Sequence, residues 1–121
     1  MAETIAALMA RPLQAGILLA RHQDNTIVLH WQQKDVDTGD LATVDATQYG
    51  FVCTLLSETG TVWHTFQLQG SEDGYVSISI NHQLLEQAVW DARMLGTYRV
   101  DAIKNDTGLR FTLAQGELRI I

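Results

Sequence analysis

Cysteine and proline occur once each in this 121-residue chain, and only eight residues are Lys or Arg. The single Cys53 excludes an internal disulfide, and nothing in the sequence calls for an oxidising compartment. It lies in an alternating apolar run with Phe51 and Leu55, which predicts a buried, inert thiol and not a nucleophile. The few basic residues are dispersed among fourteen acidic ones, for a net charge of −6. That balance excludes the clustered cationic surface nucleic-acid binding requires. No apolar run approaches the length of a membrane span. The first ten residues, MAETIAALMA, carry Glu3 where a secretory signal would place Lys or Arg. The expectation is a protein made in a cytoplasm and soluble there.

Catalytic signatures are equally scarce. There is no Gly-x-Ser-x-Gly elbow, phosphate-cradling glycine loop or dinucleotide fingerprint. His22, His30, His64 and His82 show no metal-site spacing, and no cysteine stands near them. The stretch Asp35-Val36-Asp37-Thr38-Gly39-Asp40 begins like a calcium loop. Its glycine falls one position early, however, and Ala46 stands where a bidentate Glu is required, so it reads as a solvated turn. Neither catalysis, a metal nor a cofactor is expected.

What the chain does have is a 46% hydrophobic composition, enough for one domain with its own core. Residues 1–12 read as an arm in which Ile5, Leu8 and Met9 form an apolar face too short to hold a helix alone. The arm must therefore dock on the domain or on a partner, which makes these three residues interface candidates. Residues 13–121 then form the domain. Leu13 to Arg21 is an apolar extended run. Asn25 to Gln32 alternates, with Ile27, Leu29 and Trp31 on one face and Val28 and His30 on the other. Gln33 to Asp40 reads as a loop, Thr43 to Asp45 as a short edge strand, and Tyr49 to Ser57 as a stronger strand. Two polar turns ending in glycine, Ser57 to Gly60 and Asn105 to Gly108, separate alternating runs and predict hairpins. Gly74 to Ile80 alternates Val76, Ile78 and Ile80 with polar residues. Gln115-Gly116 reads as a bulge in a long last strand, whose inner face is completed by Leu118 and Ile120.

The segment Asn81 to Ile103 organises the rest. Asn81 is placed to cap a helix, and Leu84, Leu85, Ala88, Val89, Ala92 and Leu95 follow at helical spacing. Gly96 would end the helix, after which Tyr98, Val100 and Ala102 alternate as a strand. On this helix Trp90 and Met94 fall opposite the apolar stripe, which predicts a partner interface. Trp63 lies opposite Val62, His64 and Phe66. It therefore either packs across strands or stands exposed, where it could stack on a sugar ring. The expected fold is all-β with one short helix: an antiparallel β-sandwich, immunoglobulin-like, of about seven or eight strands. A small barrel is the competitor.

From about Ala42 onward the order of features resembles the small immunoglobulin-like β-sandwich domains of tailed-bacteriophage tails, found in tail-fibre attachment and collar proteins and at the N-termini of baseplate adaptors. A strand such as YGFVCTLLSETGTVWHTF precedes DGYVSISI, then NHQLLEQAVWDARML, then GTYRVDAIKNDTGLRFTLAQGELRII with its G-x-Y strand and closing G-x-L-x-I segment. The resemblance implies a non-enzymatic structural virion protein, assembled in the host cytoplasm, whose partners are copies of itself and other phage virion proteins. It implies no nucleic acid and no membrane. A capsid decoration or cement protein and a small carbohydrate-binding module are the alternatives.

Overall fold

The computed structural model describes residues 13–34 and 37–121 of the chain. Ten strands, named β1 to β10 in chain order, occur among them: Leu13–Gln14, Ile17–Leu19, Asn25–His30, Gln32–Lys34, Leu41–Thr43, Tyr49–Ser57, Val62–Gln69, Tyr75–Ile80, Leu95–Lys104 and Arg110–Ile120. One helical turn, α1 (His82–Leu85), and two 3-10 turns, Ala46–Gln48 and Ala88–Trp90, complete the elements. The architecture is the expected antiparallel sandwich, with more and shorter strands than the sequence suggested. The loop expected over Gln33 to Asp40 is corrected at its start by β4, and the short edge strand expected over Thr43 to Asp45 is Leu41–Thr43.

The larger layer has the order β1/β2, β10, β9, β6, β7. β1 and β2 run parallel to β10 along its outer edge, while β10–β9, β9–β6 and β6–β7 are antiparallel. β3 and β8 pair antiparallel as the second layer, and β4–β5 form a separate ribbon. Both hairpins form as the glycine turns predict: Gly60 has φ 93° and Gly108 φ 73°.

Period-2 patterning places the core correctly along most strands. Phe51, Cys53 and Leu55 of β6, Val76, Ile78 and Ile80 of β8, and Leu118 and Ile120 of β10 are all buried. At one end Trp31 meets Tyr49 edge-on at 4.8 Å and Phe111 at 5.6 Å. At the other end Leu55, Leu85, Trp90, Val100 and Leu118 share a cluster with Cys53.

The long helix does not form. Asn81 caps as expected, accepting from the Gln83 amide at 2.8 Å, but the helix stops after Leu85. There the Arg21 guanidinium takes over: Nε donates to the Leu85 carbonyl at 2.7 Å and Nη2 to the Asp91 carboxylate at 2.8 Å. A cation at a helix C-terminus satisfies carbonyls that a further turn would have used. Gln87 is then extended, with φ −64° and ψ 143°, and the chain re-enters as a 3-10 turn with a new phase.

That phase change overturns the interface reading of Trp90. Its side chain is 1% exposed, packed in the core, while Val89 from the supposed inner stripe is 57% exposed. Burying an indole outweighs the few hydrogen bonds of a short helix, which is marginal unsupported. Gly96 is likewise no helix stop. It lies inside β9, where an added Cβ would come within 2.2 Å of the Leu56 carbonyl oxygen.

Two bulges also differ from expectation. In β6–β7 the register steps from Leu55↔His64 to Leu56↔Val62, leaving Trp63 as the extra residue. In β10 the irregularity lies between Thr112 and Ala114, so the bulge is at Leu113 and not at Gln115-Gly116. Gly116 instead makes room for the segment between β1 and β2, since a Cβ there would lie 2.1 Å from the Ala15 carbonyl oxygen. That oxygen accepts a hydrogen bond from the Tyr98 hydroxyl at 2.6 Å.

Candidate functional site

The outer face of the larger sheet, the side turned away from β3–β8, follows from strand register. Alternation sends Leu18, Arg119 and Leu95 outward as one row across β2, β10 and β9. The next row is Glu117, Thr97, Leu56 and Val62, running into β6 and β7. Beyond it lie Gln115, Arg99, Thr54 and Thr65, and then Thr112, Asp101, Val52 and Gln67. The first two rows are rich in exposed apolar side chains: Leu18 is 57% exposed, Leu95 42% and Val62 56%.

The rows beyond are polar and held together by one carboxylate. Asp101 is 4% exposed although it points outward. Arg110 Nη2 donates to its Oδ2 at 2.8 Å, Arg99 Nε to the same oxygen at 3.3 Å, and the Thr112 hydroxyl to Oδ1 at 3.0 Å. A buried carboxylate with two guanidiniums and a hydroxyl is a satisfied group. Its arginines remain half-exposed above the sheet. Among the described residues no buried polar side-chain atom lacks a hydrogen-bond partner.

The other side chains with chemical potential are engaged elsewhere. His30 stacks on Tyr75 at 4.2 Å and donates from Nε2 to the Asp73 carbonyl at 3.0 Å. His64 packs between Phe66 and Trp90. His22 and His82 flank Glu86, at 3.3 and 3.4 Å from its two oxygens. Among the described residues no group of three or more His, Cys, Asp or Glu is placed to hold a metal ion. No helix among them is long and apolar enough to cross a membrane.

Cys53 is fully buried, and that burial, reinforced by the negative charge of Asp101, pushes its thiol up to about 12. The hydroxyls of Tyr49 and Tyr98 are also raised, chiefly by burial. Above the ordinary thiol value the unfolded chain releases a proton that the folded one keeps, so stability falls as pH rises. The loss from Cys53 runs from about pH 9 to about 12 and amounts to at most about 4 kcal/mol. Chemical denaturation at pH 7 and pH 11 should show a markedly lower midpoint at pH 11, and Cys53→Ser should shrink the difference. Native Cys53 should also resist thiol reagents at neutral pH for as long as the domain stays folded; rapid labelling would place it at the surface.

The sequence-derived site residues fare differently. Ile5, Leu8 and Met9 lie outside the described residues. Trp90 is in the core. Met94 is 65% exposed, immediately before Leu95 at the end of the apolar rows. Trp63, turned inward by its bulge, is half-buried, meeting Trp90 edge-on at 6.1 Å with the Arg93 guanidinium 5.6 Å above its ring. The Arg93 guanidinium also lies 4.6 Å over Trp90. A half-buried ring packed edge-on against an indole, with a guanidinium over its face, is no open platform for a sugar.

Sequence reasoning does not single out Leu18, Arg119 or Glu117, and it places Leu95 on the inner stripe of a helix, where the structure has it exposed at the start of β9. Alternation in β10 places Glu117 and Arg119 on its outward face, but nothing in a linear pattern shows that Leu18 of β2 and Leu95 of β9 stand beside Arg119. No family model matches this chain, and no curated protein matches it in sequence.

Proposed function

We propose that this chain is a non-enzymatic structural protein of a tailed-bacteriophage virion, assembling symmetrically at the tail, baseplate or fibre junction. Its partners are copies of itself and other virion proteins, and it needs no cofactor, nucleic acid or membrane. The observation that carries this reading is the outer sheet face, where apolar side chains stand in solvent beside charges already paired with one another. Contiguous exposed apolar surface rimmed by polar groups marks association sites. The order of strands, turns and closing glycine segments from Ala42 onward supports the phage-tail setting.

Gold-labelled antibodies against this chain test the reading directly on phage particles from the host that carries its gene. Labelling at the tail, the baseplate or the fibre junction is the expected result. Labelling over the capsid would make it a decoration protein instead. Particles without label would remove the virion assignment.

A further inference from the structure

The exposed apolar rows of the larger sheet are self-complementary in a way that selects an occupant. Leu18 and Leu95 flank Arg119 on the neighbouring strands, and Leu56 and Val62 continue the Glu117 row beyond Thr97. Glu117 and Arg119 sit two residues apart on β10, so their side chains project on the same side. Arg119 Nη2 lies 3.9 Å from Glu117 Oε1, and both side chains are 63% exposed. That separation is loose for an ion pair, and exposed pairs of this kind contribute little to the stability of a single chain. A two-fold axis that lies in the plane of contact and crosses β10 at right angles between residues 117 and 119 sets each Arg119 opposite the other copy's Glu117, and the reverse. In an isologous contact the same patch serves both sides, so it must carry both charges.

We propose that two copies of this chain pack these outer faces together about a two-fold axis, with Leu18, Leu95, Leu56 and Val62 at the centre. Glu117 and Arg119 then pair between copies. The proposal rests on the reading that this protein works by association, and it names the first partner as a second copy. Strand spacing makes the face from β2 to β7 about 19 Å wide, and four rows along the strands make it roughly 20 Å long. The area is on the order of 400 Å² in projection, below the ~800 Å² per partner of a standard interface. The dimer should therefore be weak, with dissociation in the micromolar range.

Sedimentation velocity of the full chain from about 1 to about 100 µM, spanning that range, tests this. Twice the mass of the 13.5 kDa chain should appear as concentration rises. Leu18→Asp, at an exposed site that leaves the core intact, should abolish it. Arg119→Glu and Glu117→Arg should each weaken it by about tenfold or more, because like charges then face each other. The double variant E117R/R119E exchanges the signs and should return affinity to within about threefold of the parent, a result lost packing alone would not give. Thermal melting of each variant confirms that it folds.

A monomer across the whole range overturns the proposal. So does a dimer indifferent to Leu18→Asp and Arg119→Glu, or a double variant no tighter than the singles. A dimer that forms only after deletion of residues 2–12 would mean that this segment covers the face, which also overturns it. If the chain is monomeric yet labels virions, the two-fold contact is wrong and the virion assignment stands.

Discussion

Replacing Trp90 by alanine should destabilise the isolated chain by about 3–5 kcal/mol, the range for removing a large buried aromatic side chain. The indole is one of the largest fully buried side chains. It sits against Trp63 at 6.1 Å and His64 at 6.4 Å, under the Arg93 guanidinium. Its loss opens a cavity between the layers and releases two neighbouring rings and a cation together. Domains of this size have roughly 5–15 kcal/mol in total, so the variant should melt far below the parent in urea or on heating. Met94→Ala, four residues away but exposed, should stay within about 0.5 kcal/mol of the parent, as surface changes generally do. The opposite ranking would return Trp90 to the surface and undo the packing of this end of the sandwich.

The second large effect is expected at Gly116. Its cross-strand partner is Tyr98, and the Tyr98 hydroxyl donates to the Ala15 carbonyl that lies directly over Gly116. The Cβ of a valine there meets that carbonyl far inside van der Waals contact, so the segment carrying β1 and β2 must lift. Overpacking of this kind costs about 1–3 kcal/mol, and the lost hydrogen bond adds about 1 kcal/mol. Leu19, fully buried at the end of β2, would loosen with it. We expect Gly116→Val to lose about 3 kcal/mol in urea denaturation. Gly50→Ala in the same sheet, where an added Cβ meets nothing nearer than 3.9 Å, should be neutral or slightly stabilising. Equal effects at both positions would show that the β1–β2 segment does not pack on Gly116.

The contrast between these two sites shows how far sequence patterning reaches in this chain. Where a strand alternates without interruption, as β8 does with Val76, Ile78 and Ile80, period 2 identifies the buried face. Where one residue is inserted, the pattern past it points the wrong way. Trp63 is that residue in β7, and its bulge turns inward a ring that strict alternation sends to the other face.

Trp90 was misplaced for a related reason. Helical spacing of Leu84, Leu85, Ala88, Val89, Ala92 and Leu95 is present in the sequence, but the chain breaks phase at Gln87 and Leu95 already belongs to a strand. Burial of the Trp90 indole favours the break, and Arg21, far away in sequence, takes the Leu85 carbonyl that a further turn would have used. No local pattern records it.

The face proposed for association was hidden more deeply still. Leu18, Arg119 and Leu95 become neighbours only because β2 runs parallel to β10 and β10 antiparallel to β9. Parallel pairing between strands as far apart in sequence as β2 and β10 leaves no turn signal to read. The two hairpins did leave one, because Gly60 and Gly108 supply positive φ at fixed places, and both were legible.

Hydroxyl-radical footprinting of the full chain at low and high micromolar concentration tests most directly the claim that this protein works through the outer face of its larger sheet. Leu18, Leu95 and Val62 should lose reactivity as concentration rises, Val28 and Tyr75 on the opposite layer should not change, and Trp90 should be protected throughout. Protection that appears at Val28 and Tyr75 while Leu18 and Leu95 stay reactive would contradict the account.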